Sequence, residues 1–334
     1  MTHQQHKTKT LSIGGATFDL FVHAQLQSAV HDGKDILALP LGGKIRVDQL
    51  TGTCGGGAAN TSVGLSRLGC DASFAGIIAD DQWGQQILQN LLLEGVNTDA
   101  ATIVEHETAS CSLVLIAASG ERVLLNHAGT NRHLHDTTFD REIAGAVDWV
   151  YLNRTHDNAH MIHDDLIKML TVEPHPALTW NPGGGQIEAG IKEKNNSLLV
   201  GHCSLLLLNK EEALAFSGKR TMKEALHTLS GLGASIVCIT DGKNGASATD
   251  GTQLWHCPTI DGSVVDTTGA GDAFGTGMTW ALRGGKDLPT ALKAGTINAM
   301  SVVGALGAQQ GLLTHTEIHS KLEATNLAME VHPL

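Results

Sequence analysis

The sequence predicts a doubly wound α/β domain, a mostly parallel central sheet flanked by helices, with a small β-sheet subdomain attached. Three observations lead there. From Val147 onward, short apolar runs ("VDWVYLN", "ALTWNP", "SLLLLN", "ASIVCITDG") alternate mostly with helical segments, and the runs lack polar alternation. Such strands are buried on both faces, as in a parallel sheet covered by helices. Residues 20–52 and 108–128 instead show rough alternation and β-branched residues, which suits a small separate sheet. Finally, the 334 residues include 39 glycines while aromatics make up only 4%, a balance that favours tight turns and close backbone approaches. With 42% hydrophobic and 17% charged residues and no internal repeat or linker, one domain over 1–334 is expected.

The elements follow in order. "TLSIGGATFDL" reads as a buried strand, a Gly-Gly turn and then Asp19. "LFVHAQLQSAV" and "GGKIRVDQLTG" read as strands of the small sheet, separated by the loop "HDGKD". "CGGGAANTSVGLSRLG" is a glycine cluster opening into a helix that Gly69 closes. A strand in "DASFAGIIADD" and an amphipathic helix ending at Gly95 come next, then a hairpin turning at Ser119-Gly120. Residues from Gly269 to about Leu306 form two consecutive Ala/Gly-rich helices. The segments "GGATFD", "YLNRTHD", "TWNPGGG", "LLNKEE" and "ITDGKNG" all follow strand ends, the edge where open α/β sheets bind ligands.

Composition excludes several classes. Acids outnumber bases 34 to 22, a formal charge of −12, and no Lys/Arg run supplies a nucleic-acid-binding face. An acidic protein that handles an anionic nucleotide needs local positive potential or a cation to offset its own field. The six cysteines (Cys54, Cys70, Cys111, Cys203, Cys238, Cys257) form no CxxC pair and read as reduced thiols of a cytoplasmic protein. The N-terminus lacks an apolar signal core, and no run reaches the roughly 18 apolar residues of a membrane span.

"DTTGAGDAFGTG", Asp266 to Gly277, carries the chemistry. Gly269, Ala270 and Gly271 have minimal side chains, so their amides can approach an anion at a helix N-terminus. Asp272, in the first turn, is either a stabilising cap or a carboxylate placed to take a hydroxyl proton beside a transferring phosphoryl group. Neither GxxxxGK[ST] nor a GxGxxG after the first strand is present. "THDNAHMIHDD", with His156, His160 and His163, is either a metal site or a solvated helix. The missing HExxH and the polar character throughout favour the helix.

"DTTGAGDAFGTG" closely resembles the C-terminal signature of the ribokinase-like (PfkB) family of carbohydrate and nucleoside kinases, and "GGGAANTSVGLSRLG" resembles its N-terminal signature. The resemblance runs over essentially the whole chain and implies a ribokinase-like fold in which 20–52 and 108–128 form a lid. It implies Asp272 as the general base and Gly269, Ala270 and Gly271 as the anion hole. Asp19, Gly56, Gly57 and Asn60 match substrate-side positions, for which the bland readings are a helix-entry turn and a surface amide. "NKEE" resembles the family's NxxE element: Asn209 beside the nucleotide phosphates, and Glu212 on Mg²⁺ largely through water. Asn209 equally reads as a helix cap. Thr240, Gly242 and Gly245 match the ATP-binding loop, where Lys243 is either a phosphate contact or an exposed turn lysine, and Asn298 falls where relatives line the adenine pocket. Asp266 and Thr268, with Gly307 a weaker match, correspond to a monovalent-cation (K⁺) loop, or to a plain Asp/Thr turn.

The substrate is left open. "HDGKDILALPLGGKIR" is extra material for a ribokinase lid, and Arg46, Asn131, Arg132, Asn153 and Arg154 are available for substrate hydroxyls or a phosphate. A nucleoside acceptor would want aromatic stacking, but residues 22–54 contain no Phe, Tyr or Trp, and only Phe18, Phe21 and Trp83 stand nearby. The expectation is therefore an ATP-dependent kinase of a sugar or sugar-like molecule, with a nucleoside kinase or a non-catalytic small-molecule binder as alternatives. Family analogy adds a homodimer through the lid sheets.

Overall fold

The computed structural model describes residues 7–117, 121–135, 138–155 and 160–334. Its central sheet runs, in spatial order, Glu330–Pro333, Gln253–Cys257, Ala246–Thr249, Val237–Thr240, Leu205–Asn209, Ala177–Trp180, Trp149–Leu152, Lys9–Ile13 and Asp71–Ala75. The six strands from Val237–Thr240 to Asp71–Ala75 pair in parallel, and the other three add on antiparallel. The four apolar runs singled out above fall on four adjacent parallel strands. Their registers align Leu11 with Val150, Val150 with Leu178, and Leu206 with Val237, all buried.

The sheet is covered on both faces, which is why its strands can be apolar throughout. One face packs against the helices His160–Leu170, Lys194–His202, Lys210–Ser217 and Met222–Ser230 through residues such as Leu166, Leu199, Phe216 and Leu226. The other packs Leu205, Leu207 and Cys238 against the helices Ala270–Arg283 and Leu288–Val303, through Phe274, Met278 and Leu292. Among the described residues no helix is long and apolar enough to cross a membrane.

The small sheet has the order Arg122–His127, Cys111–Ile116, Thr17–Ala24, Val47–Gly55. Two details differ from the sequence reading. "HDGKD" is a tight hairpin turn between Gln27–His31 and Lys34–Ala38, because Asp32 (φ 49°) and Gly33 (φ 73°) take the left-handed pair that a two-residue loop demands. "DASFAGIIADD" breaks at Gly76 into Asp71–Ala75 in the main sheet and Ile77–Ala79, which pairs with Thr102–Val104. The expected turn at Ser119-Gly120 lies outside the described residues.

His156 also lies outside them, but His160 and His163 sit on His160–Leu170, which is not solvated throughout: Ile162, His163, Leu166 and Leu170 are buried. His163 is 1% exposed and meets the Trp180 ring edge-on at 5.7 Å. Burial pushes its imidazole down to about 4. A histidine held neutral in the fold lets the unfolded chain bind the extra proton, so stability is complete above the ordinary value of 6.5 and is lost as pH falls toward 4. Between pH 7.5 and pH 5 this residue alone is expected to remove about 2 kcal/mol. Urea titrations at both pH values should show that difference in the wild type and not in His163→Leu. An equal pH loss in the variant would place the effect elsewhere.

Candidate active site

The helix Ala270–Arg283 starts where the chain turns through Gly269 (φ 75°, ψ 2°). Amides in a helix's first turn have no intrahelical acceptor, so those of Gly271 and Asp272 are available to an anion. Ala270 and Gly271 line a cavity of about 480 Å³ together with Thr240, Gly242, Lys243 and Gly245. The loop after Val237–Thr240 and the start of the signature helix, distant in sequence, therefore form two walls of one enclosure.

Asp272 faces away from this cavity toward the helix Gly57–Arg67. Its Oδ2 accepts from Asn60 Nδ2 at 2.8 Å. Asn60 Oδ1 in turn accepts from Gln309 Nε2 at 3.1 Å, and Gln309 Oε1 from Asn90 Nδ2 at 2.8 Å. Arg67 Nη1 donates to the Gln309 carbonyl at 2.7 Å and fixes that loop. In this chain of amides each member sets which way the next one points, and the last presents N–H to the Asp272 carboxylate. Burial raises the Asp272 carboxyl to about 6, against the opposing hydrogen bond from Asn60 and with a further push from the charge of Glu212. A carboxylate near 6 is ionised at neutral pH yet basic enough to take a proton. Gln309 belongs to no motif, and nothing in its sequence neighbourhood marks it.

Asn209 and Glu212 form a reciprocal capping box: Asn209 Oδ1 accepts from Glu212 N–H and Glu212 Oε2 from Asn209 N–H, both at 2.9 Å. The cap reading of Asn209 thus holds. Burial raises the Glu212 carboxyl, opposed by the Asn209 N–H and the Arg154 charge. Arg154 lies across the backbone of Gly183 and Gly184, where an added Cβ would come within 2.8 Å of its Cδ and 3.0 Å of its Nη2.

In the small sheet, Asp19 is buried in Thr17–Ala24, and burial raises its carboxyl against hydrogen bonds from Ser112 and Thr17, with Asp266 adding repulsion. Gly56 opens the helix Gly57–Arg67 at φ 93°, and a Cβ on it would stand 2.6 Å from Ala16 Cα. Gly57 packs less closely on Asn153, whose Cβ a side chain there would meet at 3.1 Å. Asn131 turns its amide onto Ala16, accepting from its N–H at 3.3 Å and donating to its carbonyl at 3.0 Å, and so shapes the turn before Asp19. One expectation needs correction: Asn298 does not line the cavity between the 240–245 loop and the signature helix. It is fully buried, donating to the Ala273 carbonyl at 2.8 Å and accepting from Leu313 N–H at 3.1 Å, while Thr296, Ala299 and Met300 face the cavity.

Asp266 is buried beside this site, and its carboxylate accepts from Thr268 and from Gly307 N–H. The remaining partner, Arg122 from the small sheet, was not singled out by the sequence. Among the described residues no group of three or more His, Cys, Asp or Glu is placed to hold a metal by itself.

Comparison with known proteins identifies the family and the fold. The family described as pfkB family carbohydrate kinase matches residues 34–315. Ribokinase of Bacillus subtilis is 30% identical over 270 residues, which is 80% of this chain and 87% of that protein. Among solved structures, Arabidopsis thaliana ribokinase complexed with ribose and ATP is similar with a TM-score of 0.78 at 20% identity, covering 95% of this chain and 99% of that one. The nucleoside kinase of Methanocaldococcus jannaschii gives 0.76 at 20% identity, covering 95% and 99%. These likenesses show a ribokinase-like α/β fold with a mostly parallel sheet and a small β-sheet lid. With the family matched over most of its length, the chain belongs to the pfkB family of carbohydrate kinases, phosphotransferases that act on an alcohol group.

Proposed function

We propose that the protein transfers the γ-phosphoryl group of ATP to a hydroxyl of a sugar or sugar-like acceptor. The observation that carries this reading is the position of Asp272: a carboxylate of raised basicity, aimed by Asn60, in the first turn of a helix whose N-terminus opens on the cavity lined by Thr240, Gly242 and Gly245. ATP occupies that cavity with its phosphates toward Ala270 and Gly271. Asp272 accepts the proton of the acceptor hydroxyl, the acceptor oxygen bonds to the γ-phosphorus, and the bond to the β-phosphate oxygen breaks to release ADP. Ala270 N–H is engaged by the Thr267 carbonyl at 3.2 Å, so of the expected 269–271 anion hole it is Gly271 N–H, with that of Asp272, that holds the charge on the moving group. Asp19 anchors acceptor hydroxyls from the lid side, with Gly56 and Gly57 letting the acceptor approach the backbone.

Glu212 fits Mg²⁺ held largely through water: the capping box engages Oε2, Oε1 forms no hydrogen bond among the described residues, and the side chain lies close enough to Asp272 to raise its carboxyl. When bound, Mg²⁺ neutralises charge on the ATP phosphates. The aromatic side chains near the acceptor are engaged: Phe18 stacks on Trp83 at 6.2 Å and 12°, and Phe21 is buried. This favours a sugar over a nucleoside. An ADP-release screen of sugars, sugar phosphates and nucleosides, paired with thermal shift, tests the reading. ADP release with at least one sugar-like acceptor is expected. Release with nucleosides alone would move the assignment to nucleoside kinase, and stabilisation without ADP release from any acceptor would make it a binder.

The lid also supplies the homodimer surface. Val30, Leu41, Leu50, Leu124 and Leu125 are exposed on it, and Arg122–His127 and Val47–Gly55 are the edge strands of its sheet. Light scattering is expected to give the mass of two chains, reduced to one chain by Leu50→Asp with Leu124→Asp while the ATP thermal shift persists. A monomeric wild type would refute the assignment.

A further inference from the structure

An acidic chain that handles ATP needs positive charge near the point of transfer, and the resemblance assigns that charge to a monovalent cation at Asp266 and Thr268. The groups around Asp266 do not suit a metal. Its Oδ1 accepts from Thr268 N–H at 3.0 Å, from the Thr268 hydroxyl at 2.8 Å and from Arg122 Nη1. Its Oδ2 accepts from Gly307 N–H at 3.0 Å. A hard cation is held by converging oxygen acceptors. Here hydroxyl, amide and guanidinium hydrogens converge on the carboxylate instead, which is the surrounding of a charge-assisted ion pair.

We propose that Arg122 takes the place of the monovalent cation in this site, a positive charge tethered to the lid that neutralises Asp266 and braces the loop entering the anion hole. The inference rests on the kinase reading above. Three further observations support it. The Asp266 side chain is 1% exposed and that of Arg122 39%, so removing the arginine would leave a buried carboxylate without a charged partner. The same guanidinium donates from Nη2 to Thr267 Oγ1 at 3.0 Å. Thr267 lines the ATP cavity, and its carbonyl accepts from Ala270 N–H at 3.2 Å. One side chain thus holds two consecutive residues at the entry to the signature helix. Finally, Arg122 pairs in register with Ile116 on the strand that places Ser112 opposite Asp19. The sheet that binds the acceptor and the loop that binds the phosphoryl group are joined by this ion pair, so the counter-charge arrives with the lid.

The test uses the full chain at constant ionic strength, with K⁺ replaced by tetramethylammonium. Wild-type ADP release is expected to change by less than about two-fold, whereas Arg122→Ala is expected to lose about ten-fold or more. Part of that loss should return, by about five-fold, on adding K⁺ or free guanidinium, and Arg122→Lys should fall between the two. Thallium, a K⁺-sized scatterer, soaked into crystals should leave Asp266 unoccupied in the wild type and appear there in Arg122→Ala. Thallium at Asp266 in the wild type would overturn the proposal. So would an Arg122→Ala rate within about two-fold of wild type, or a loss that neither K⁺ nor guanidinium restores. If the kinase reading itself fails, no acceptor yields ADP with any variant, yet the thallium positions still decide what neutralises Asp266.

Discussion

Asp272→Asn is expected to slow ADP release by about 10²- to 10⁴-fold, the usual range for losing a general base, without weakening the fold. The two halves of that result have one origin. Burial lifts the carboxyl to about 6, so the folded protein at neutral pH holds a charge that the unfolded chain would solvate better. For an acid raised in the fold, the native state binds more protons than the unfolded chain between the ordinary 3.8 and about 6. Stability therefore declines as pH rises through that window, by at most about 3 kcal/mol. A neutral amide escapes this penalty, and the variant should melt at or above the wild-type temperature at pH 7.5. Turnover near that of the wild type would sink the assignment of Asp272 as base. The wild-type rate should itself fall on the acid side of about pH 6, as the base becomes protonated. Asn60→Ala, which removes the hydrogen bond that favours the ionised carboxylate, should move that limb to higher pH, with Gln309→Leu moving it less in the same direction. A purely structural role for the amide chain would lower the melting temperature and leave the limb where it was.

The parallel strands were legible because burial on both faces leaves apolar runs that no other common element explains. The glycine loop was legible because its small residues and its carboxylate stand together within a few positions. What escaped detection shares a different property. The Gln27–Ala38 hairpin is exposed along both strands apart from Leu37, so no buried face fixes its pairing and only the Asp32-Gly33 turn sets its register. Arg122 meets Asp266 across 144 positions, and Gln309 meets Asn60 across 249. Contacts so distant leave no local period, and an arginine on an exposed strand or a glutamine in a loop looks ordinary. Asn298 was misplaced for a related reason. On a helix buried between two others, the sequence does not distinguish a side chain facing the cavity from one tying the helices together. The hold of Asn131 on Ala16 reaches a turn 115 residues earlier and leaves no local trace either.

Gly269→Ala is the second large effect, and here fold and chemistry are expected to fail together. The residue sits at φ 75°, a conformation that costs an L side chain about 1–2 kcal/mol. A Cβ there would also stand 2.4 Å from the Cβ of Ala308 and 2.8 Å from its Cα. Ala308 cannot yield alone, since the preceding Gly307 N–H is bonded to Asp266. Relief must come from parting the helix entry and the 307 loop, which carries the amides of Gly271 and Asp272 away from the phosphoryl group. Misplacing one such donor typically costs about 10²–10³ in turnover. The variant should therefore lose about 10²-fold in kcat or more, with a lower melting temperature and a smaller change in acceptor KM. Gly271→Ala is the control for the first half: a Cβ there meets no protein atom within 4 Å and the backbone has no positive φ, so its melting should match the wild type. A Gly269→Ala protein that melts and turns over like the wild type would show that the turn accommodates a side chain, and that its amides do not set the rate.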